Sequence, residues 1–234
     1  YYEIIPESKS LQEALDLCIT NKEKFLNEPV VAECTGFAIG TQIIATAGHC
    51  IDKNTLKDFF FVFGFLLSTK NKPELIIKSE NVFELVKIIG REYNENNKND
   101  YAIINVNKPI PSDRIAQFRE TGSIKNNQTL YVIGHPSGLP LKFADDAKVF
   151  ANTEPNYFIS NLDTYSGNSG SPVFNGETDE VEGILVRGND DYKIIQLKSC
   201  KVSIYCKQSI GNCDGEDVSR TSQFWHLINL IKNR

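Results

Sequence analysis

The sequence predicts an all-β fold, a sandwich or a pair of antiparallel barrels, with a helix added at each end. Short runs rich in Val, Ile, Phe and Tyr recur along the chain, among them VVAECTGFAIG, YAIINV, TLYVIG and VEGILVRG. Gly, Asn, Pro and Asp separate them, the turn spacing of many short antiparallel strands. Helical periodicity is confined to the two ends. The length, 234 residues with 41% apolar and 24% charged, suits one large domain or two lobes sharing a cleft.

In chain order, the first element is a helix expected over residues 7–20. Ser10 and Glu13 fit a capping box, and Leu11, Leu15, Cys18 and Ile19 fall on one helical face. Strand texture begins near Pro29. The run Phe59 to Leu67, FFFVFGFLL, is about half of what a membrane-spanning helix needs, and Gly64 interrupts it. It reads as a buried strand pair or one kinked strand. Glu92–Asn99 is a polar loop. At the end, Phe224, Leu227, Ile228 and Ile231 form a helical stripe with Lys and Arg at its finish.

A net charge of −5 and the absence of a Lys/Arg-rich block argue against nucleic acid or anionic membrane as the main partner. The chain opens with Tyr1-Tyr2 and holds no Met, as removal of a signal peptide or other trimming would leave it. Six cysteines, an even number, suggest disulfides and an oxidising compartment, hence a secreted or periplasmic protein. The competing reading is a metal site, but Cys200, Cys206 and Cys213 lack CxxC spacing and no His lies close by. No phosphate loop or cofactor motif is visible either, so neither metal nor cofactor is expected.

Three segments carry chemistry. A serine hydroxyl needs a base to take its proton, a group to orient that base, and N–H donors for the oxyanion. In ATAGHC (45–50), His49 follows an apolar strand and a small-residue turn. In NDYAIINV (99–106), Asp100 closes a polar loop and enters an apolar strand, where a carboxylate can be buried against an imidazole. In SGNSGSPVF (166–174), small residues flank Ser169, and Gly167 permits a backbone geometry that aims its N–H and that of Ser169 at one oxyanion. Each alone also reads as an ordinary turn; the three in the order His, Asp, Ser are far more specific.

On these motifs, TAGHC, DYAII and GNSGSP, the chain resembles the trypsin/chymotrypsin-type serine proteases from about Pro29 onward, and in GNSGSPVFN the bacterial glutamyl endopeptidase branch. The resemblance implies two six-stranded antiparallel Greek-key β-barrels with the active site between them. It divides the chain into an N-terminal extension with a helix (1–28), a first barrel (29–118), a second barrel (119–218) and a C-terminal helix (219–234). It implies His49 as general base, Asp100 as its orienting partner, Ser169 as nucleophile, and Gly167 and Ser169 as the oxyanion hole. Protein or peptide substrates and a monomer are expected. The alternative is a non-catalytic or latent binding protein on the same fold.

The resemblance further implies a Cys34–Cys50 disulfide pinning the histidine loop. Cys18, Cys200, Cys206 and Cys213 remain, with three possible pairings; a bridge from Cys18 would tether the added helix to the second barrel. Asn168 stands where trypsin-type zymogens keep an Asp, so that activation switch is not supported. For specificity, two features disagree. Asp163 lies six residues before Ser169, where trypsin-like members bind Lys or Arg. Thr164 matches a residue that glutamyl endopeptidases use for an acidic side chain, while their His corresponds here to Leu185. Arg187 either favours an acidic substrate or pairs with Asp163. A basic P1 residue is slightly favoured. His135 and His226 are expected to be structural.

Overall fold

The computed structural model describes residues 2–3, 8–51, 59–68, 72, 75–205 and 215–232. The N-terminal extension holds β1 (Tyr2–Glu3) and α1 (Leu11–Leu15). The first lobe follows with β2 (Gly36–Gly40), β3 (Ile43–Thr46), β4 (Phe60–Val62), β5 (Ile76–Ile77), β6 (Val82–Tyr93) and β7 (Asp100–Val106). The second lobe begins with β8 (Thr129–Gly134), β9 (Lys142–Ala151), β10 (Tyr157–Ser160), β11 (Pro172–Asn175) and β12 (Val181–Arg187). A hairpin of β13 (Tyr192–Ile195) and β14 (Cys200–Ser203), then β15 (Glu216–Arg220) and α2 (Trp225–Lys232), complete it.

The second lobe is a closed antiparallel barrel in the order β10-β15-β12-β11-β8-β9. The first is a five-stranded antiparallel sheet, β2-β3-β7-β6-β4, among the described residues, where the resemblance implied six strands. Alternation explains the closed barrel. Val132, Val149, Phe158, Val173, Leu185 and Val218 point inward from six different strands and form its core.

A separate apolar layer joins the lobes. Phe37, Ala45 and Ile103 of the first sheet meet Val181, Ile184 and Val186 of the barrel, and Phe224, just before α2, and Ile228, within it, seal the layer. The C-terminal stripe therefore buries where its periodicity predicts for Phe224 and Ile228; the side chain of Ile231 lies outside the described residues. In FFFVFGFLL only Phe60–Val62 is strand, and the chain leaves it before Gly64.

The N-terminal helix is shorter than its stripe suggests. The capping box forms, with the Glu13 N–H donating to Ser10 Oγ and the Glu13 carboxylate accepting the Ser10 N–H. The helix then stops at Asp16, whose backbone is left-handed at φ 53°. Leu17 bridges to Lys201 of β14, and Cys18 bonds to Cys200. These contacts to the second lobe pull the chain out of helical register, and Ile19 is left exposed. Leu11 and Leu17 pack instead on Leu139, with Tyr192 alongside. Cys206 and Cys213 lie outside the described residues.

Candidate active site

Strand register brings the first two functional residues together. In the β3–β7 pair, Thr46 lies opposite Ala102, so the chain leaving β3 runs alongside Tyr101 and Asp100. A 3₁₀ turn, Gly48–Cys50, then presents His49. Asp100 is fully buried. Its Oδ2 lies 2.8 Å from His49 Nδ1, and its Oδ1 accepts the His49 backbone N–H at 3.0 Å. A carboxylate only accepts, so Nδ1 carries the proton and the other ring nitrogen is left to take one.

Ser169 is fastened to the same place. Its carbonyl accepts the Thr35 N–H at 2.8 Å and lies 3.7 Å from Sγ of Cys50, the residue after His49. The Cys34–Cys50 disulfide, as the resemblance implied, ties the segment before β2 to the turn that carries His49. It also commits both sulfurs, although they lie close to the His49 imidazole, so no thiolate is left there for a metal.

The Gly167 N–H is aimed by its neighbours. The Ser166 carbonyl accepts the Ser137 N–H at 2.5 Å. In a trans peptide the following N–H points the opposite way, so that of Gly167 faces away from Ser137. Gly167 has φ +92°, and a Cβ there would strike the His135 carbonyl and the Gly138 N–H. Its own carbonyl accepts Thr35 Oγ1 at 2.9 Å. Asn168 is buried inside this loop, its Oδ1 accepting the Ser171 hydroxyl at 3.3 Å. His135 supports the loop from behind: Nδ1 donates to the Leu139 carbonyl at 2.9 Å and the ring stacks on Phe65. His226 is exposed on α2.

The groove has two parts that share Val186 and Arg187. One, of about 300 Å³, is lined by His49, Tyr93, Lys98 and Asp100. The other, of about 170 Å³, reaches from Ser169 to Thr164, Leu185, Gly188, Asp191 and Glu216. It is smaller than the ~300 Å³ at which pockets for drug-sized ligands begin, and has room for a single side chain.

A family model described as the trypsin-like peptidase domain matches residues 34–184, a segment that holds His49, Asp100 and Ser169. The chain belongs to the trypsin-like peptidase family. Among curated proteins, a glutamyl endopeptidase of Bacillus licheniformis is 29% identical over 154 residues, 62% of this chain. The match takes in 46% of that relative, so the chain spans under half of its length. Two solved structures share the fold. A Glu endopeptidase in complex with MPD has TM-score 0.54 and 18% identity, over 86% of each chain. Kallikrein-related peptidase 10 has TM-score 0.56 and 13% identity, over 86% of this chain and 91% of its own.

In this trypsin-like peptidase the structure rearranges the residues expected to read the substrate. Asp163 is exposed and does not line the cleft, while Thr164 and Leu185 do. Arg187 does not pair with Asp163. Its Nε donates to Asp217 at 2.9 Å, and its guanidinium lies 3.9 Å from Asp100. Glu216 was missed: its Oε2 accepts the Thr164 hydroxyl at 2.6 Å, and burial pushes its carboxyl up to about 7. One signal was available. Glu216 precedes the fully buried Val218 by two, and strand alternation turns both to the same face.

Proposed function

We propose that this chain is a secreted serine endopeptidase with His49, Asp100 and Ser169 as its triad. Ser169 Oγ attacks the peptide carbonyl carbon while its proton passes to His49 Nε2 and from there to the leaving amine. Water then splits the acyl-enzyme by the same proton path in reverse. Asp100 holds the imidazole tautomer and stabilises the imidazolium, and the N–H groups of Gly167 and Ser169 hold the oxyanion. Protein or peptide substrates cut after a basic residue fit the acidic cleft beside Ser169, and a monomer suffices, since the site draws on one chain.

The observation that carries the reading is the doubly bonded Asp100–His49 pair, with a fully buried carboxylate on a half-exposed imidazole. Mass-spectrometric cleavage profiling tests it. The protein and its Ser169→Ala variant are incubated with one complex peptide library at neutral and alkaline pH. Cuts are expected from the first and not the second. A protein that makes no serine-dependent cuts is a latent enzyme or a binding protein instead.

A further inference from the structure

The small cleft beside Ser169 contains three charged side chains, and two of them serve the frame around it. Asp191 Oδ2 accepts the Ser166 N–H at 2.7 Å, which makes it a brace for the loop that carries Gly167. Arg187 is turned toward the triad side, bonded to Asp217 and, at 3.1 Å, to the Lys98 carbonyl. Glu216 is left. It comes from β15, half-buried, and its carboxylate accepts the Thr164 hydroxyl and the Asn189 N–H, which hold it at the cleft wall. The position facing it is Gly188, where a Cβ would collide with the carboxylate. That missing side chain keeps the carboxylate open to the cleft.

We propose that Glu216 is the residue that reads the substrate side chain entering this cleft, and that it selects lysine or arginine over glutamate. The choice follows from charge. Leu185 offers no charge to an acidic side chain, and Asp191 and Glu216 repel one. A cation finds two carboxylates, one of them with lone pairs to spare. The inference names the substrate class of the endopeptidase site; it rests on that reading for the cut, though not for binding.

The surroundings make this selection depend on pH. From the 163–166 loop Glu216 meets the Thr164 hydroxyl, and Tyr165 lines the same cleft. From the 188–191 loop it meets the Asn189 N–H and Asp191, with Asp190 behind, and on its own strand Asp217 with its partner Arg187. From β10 the Ser160 hydroxyl donates to its backbone carbonyl. Burial is the largest effect and raises the carboxyl; Thr164 and Asn189 lower it, and Asp191 and Asp217 raise it further. A cation in the cleft favours the ionised form, so its affinity rises as pH climbs through about 7.

The ratio of kcat/KM for P1-Arg over P1-Gln peptides isolates this effect, because the titration of the triad cancels. The ratio is expected to rise across neutrality and to fall roughly 10- to 100-fold at pH 8 in Glu216→Gln. A ratio unchanged by Glu216→Gln, or a preference for P1-Glu in the unaltered protein, overturns the proposal. Thr164→Val, which removes a donor to the carboxylate, should move the midpoint of the ratio to higher pH; an unmoved midpoint also overturns it. Binding of n-butylguanidinium to the Ser169→Ala protein, followed by calorimetry, separates the two readings. Binding that Glu216→Gln abolishes, in a protein that cuts nothing, sinks the endopeptidase and keeps the cation site. Cutting without such binding does the reverse.

Discussion

Asp100 and Glu216 are both carboxylates in the walls of one groove, and they have opposite surroundings. Asp100 is fully buried among donors and a cation: the His49 backbone N–H, the His49 ring, and Arg187 at 3.9 Å. Glu216 is half-buried beside one hydroxyl, one backbone N–H and the carboxylates of Asp191 and Asp217. A carboxylate whose neighbours all favour its charge positions other groups. One that is short of compensation is poised to accept a cation from outside.

The largest test of that contrast is at the positioning carboxylate. Asp100→Asn keeps the size of the side chain but removes the acceptor that holds the Nδ1 proton, so His49 can settle in the wrong tautomer. A loss of about 10⁴-fold in kcat is expected, with little change in the Arg-to-Gln preference. Steady-state kinetics on matched peptides check both. A change in preference as large as the change in rate would mean that the two carboxylates act as one unit.

The next effect is one of stability. Cys18–Cys200 closes a loop of 182 residues, worth up to roughly 5 kcal/mol on the chain-entropy model. Replacing both cysteines by serine is expected to remove several kcal/mol in urea unfolding. The Leu11–Leu17–Leu139 cluster sits against the loop that backs Gly167, so kcat should fall modestly where Asp100→Asn is severe. A stability loss under about 1 kcal/mol would mean that noncovalent packing alone holds the extension.

These pairs also explain what could be read from the chain. His49, Asp100 and Ser169 sit in short segments whose local chemistry is visible residue by residue, and alternation was enough to find the strands around them. The helix over 7–20 was overread because its apolar spacing is real but its end is decided by Cys200 and Lys201, far along the chain. Asp163 was overread for a related reason: its distance from Ser169 fits, yet its side chain faces solvent. Glu216 lies 52 residues from Thr164, and the family match ends at residue 184, before it. Only the barrel closing β12 on β15 brings that carboxylate to the serine.

The smallest predicted effect separates the two carboxylates most cleanly. The Glu216 carboxyl rises from 4.5 to about 7 on folding, so the native state holds its proton more tightly than the unfolded chain does. Relative to a glutamine there, stability is fully present below pH 4.5, is lost as pH rises through 7, and stays lost above it. Glu216→Gln is therefore expected to match the unaltered protein in urea unfolding at pH 4 and to exceed it at pH 8.5. The shift sets a ceiling of about 3 kcal/mol on that gain, which water entering the open cleft reduces to about 1–2 kcal/mol. Asp100→Asn should gain nothing at pH 8.5, because its donors and the nearby guanidinium favour the charge that it loses. An equal gain at both positions would show that burial alone governs these carboxylates, and the division between a positioning acid and a selecting one would collapse.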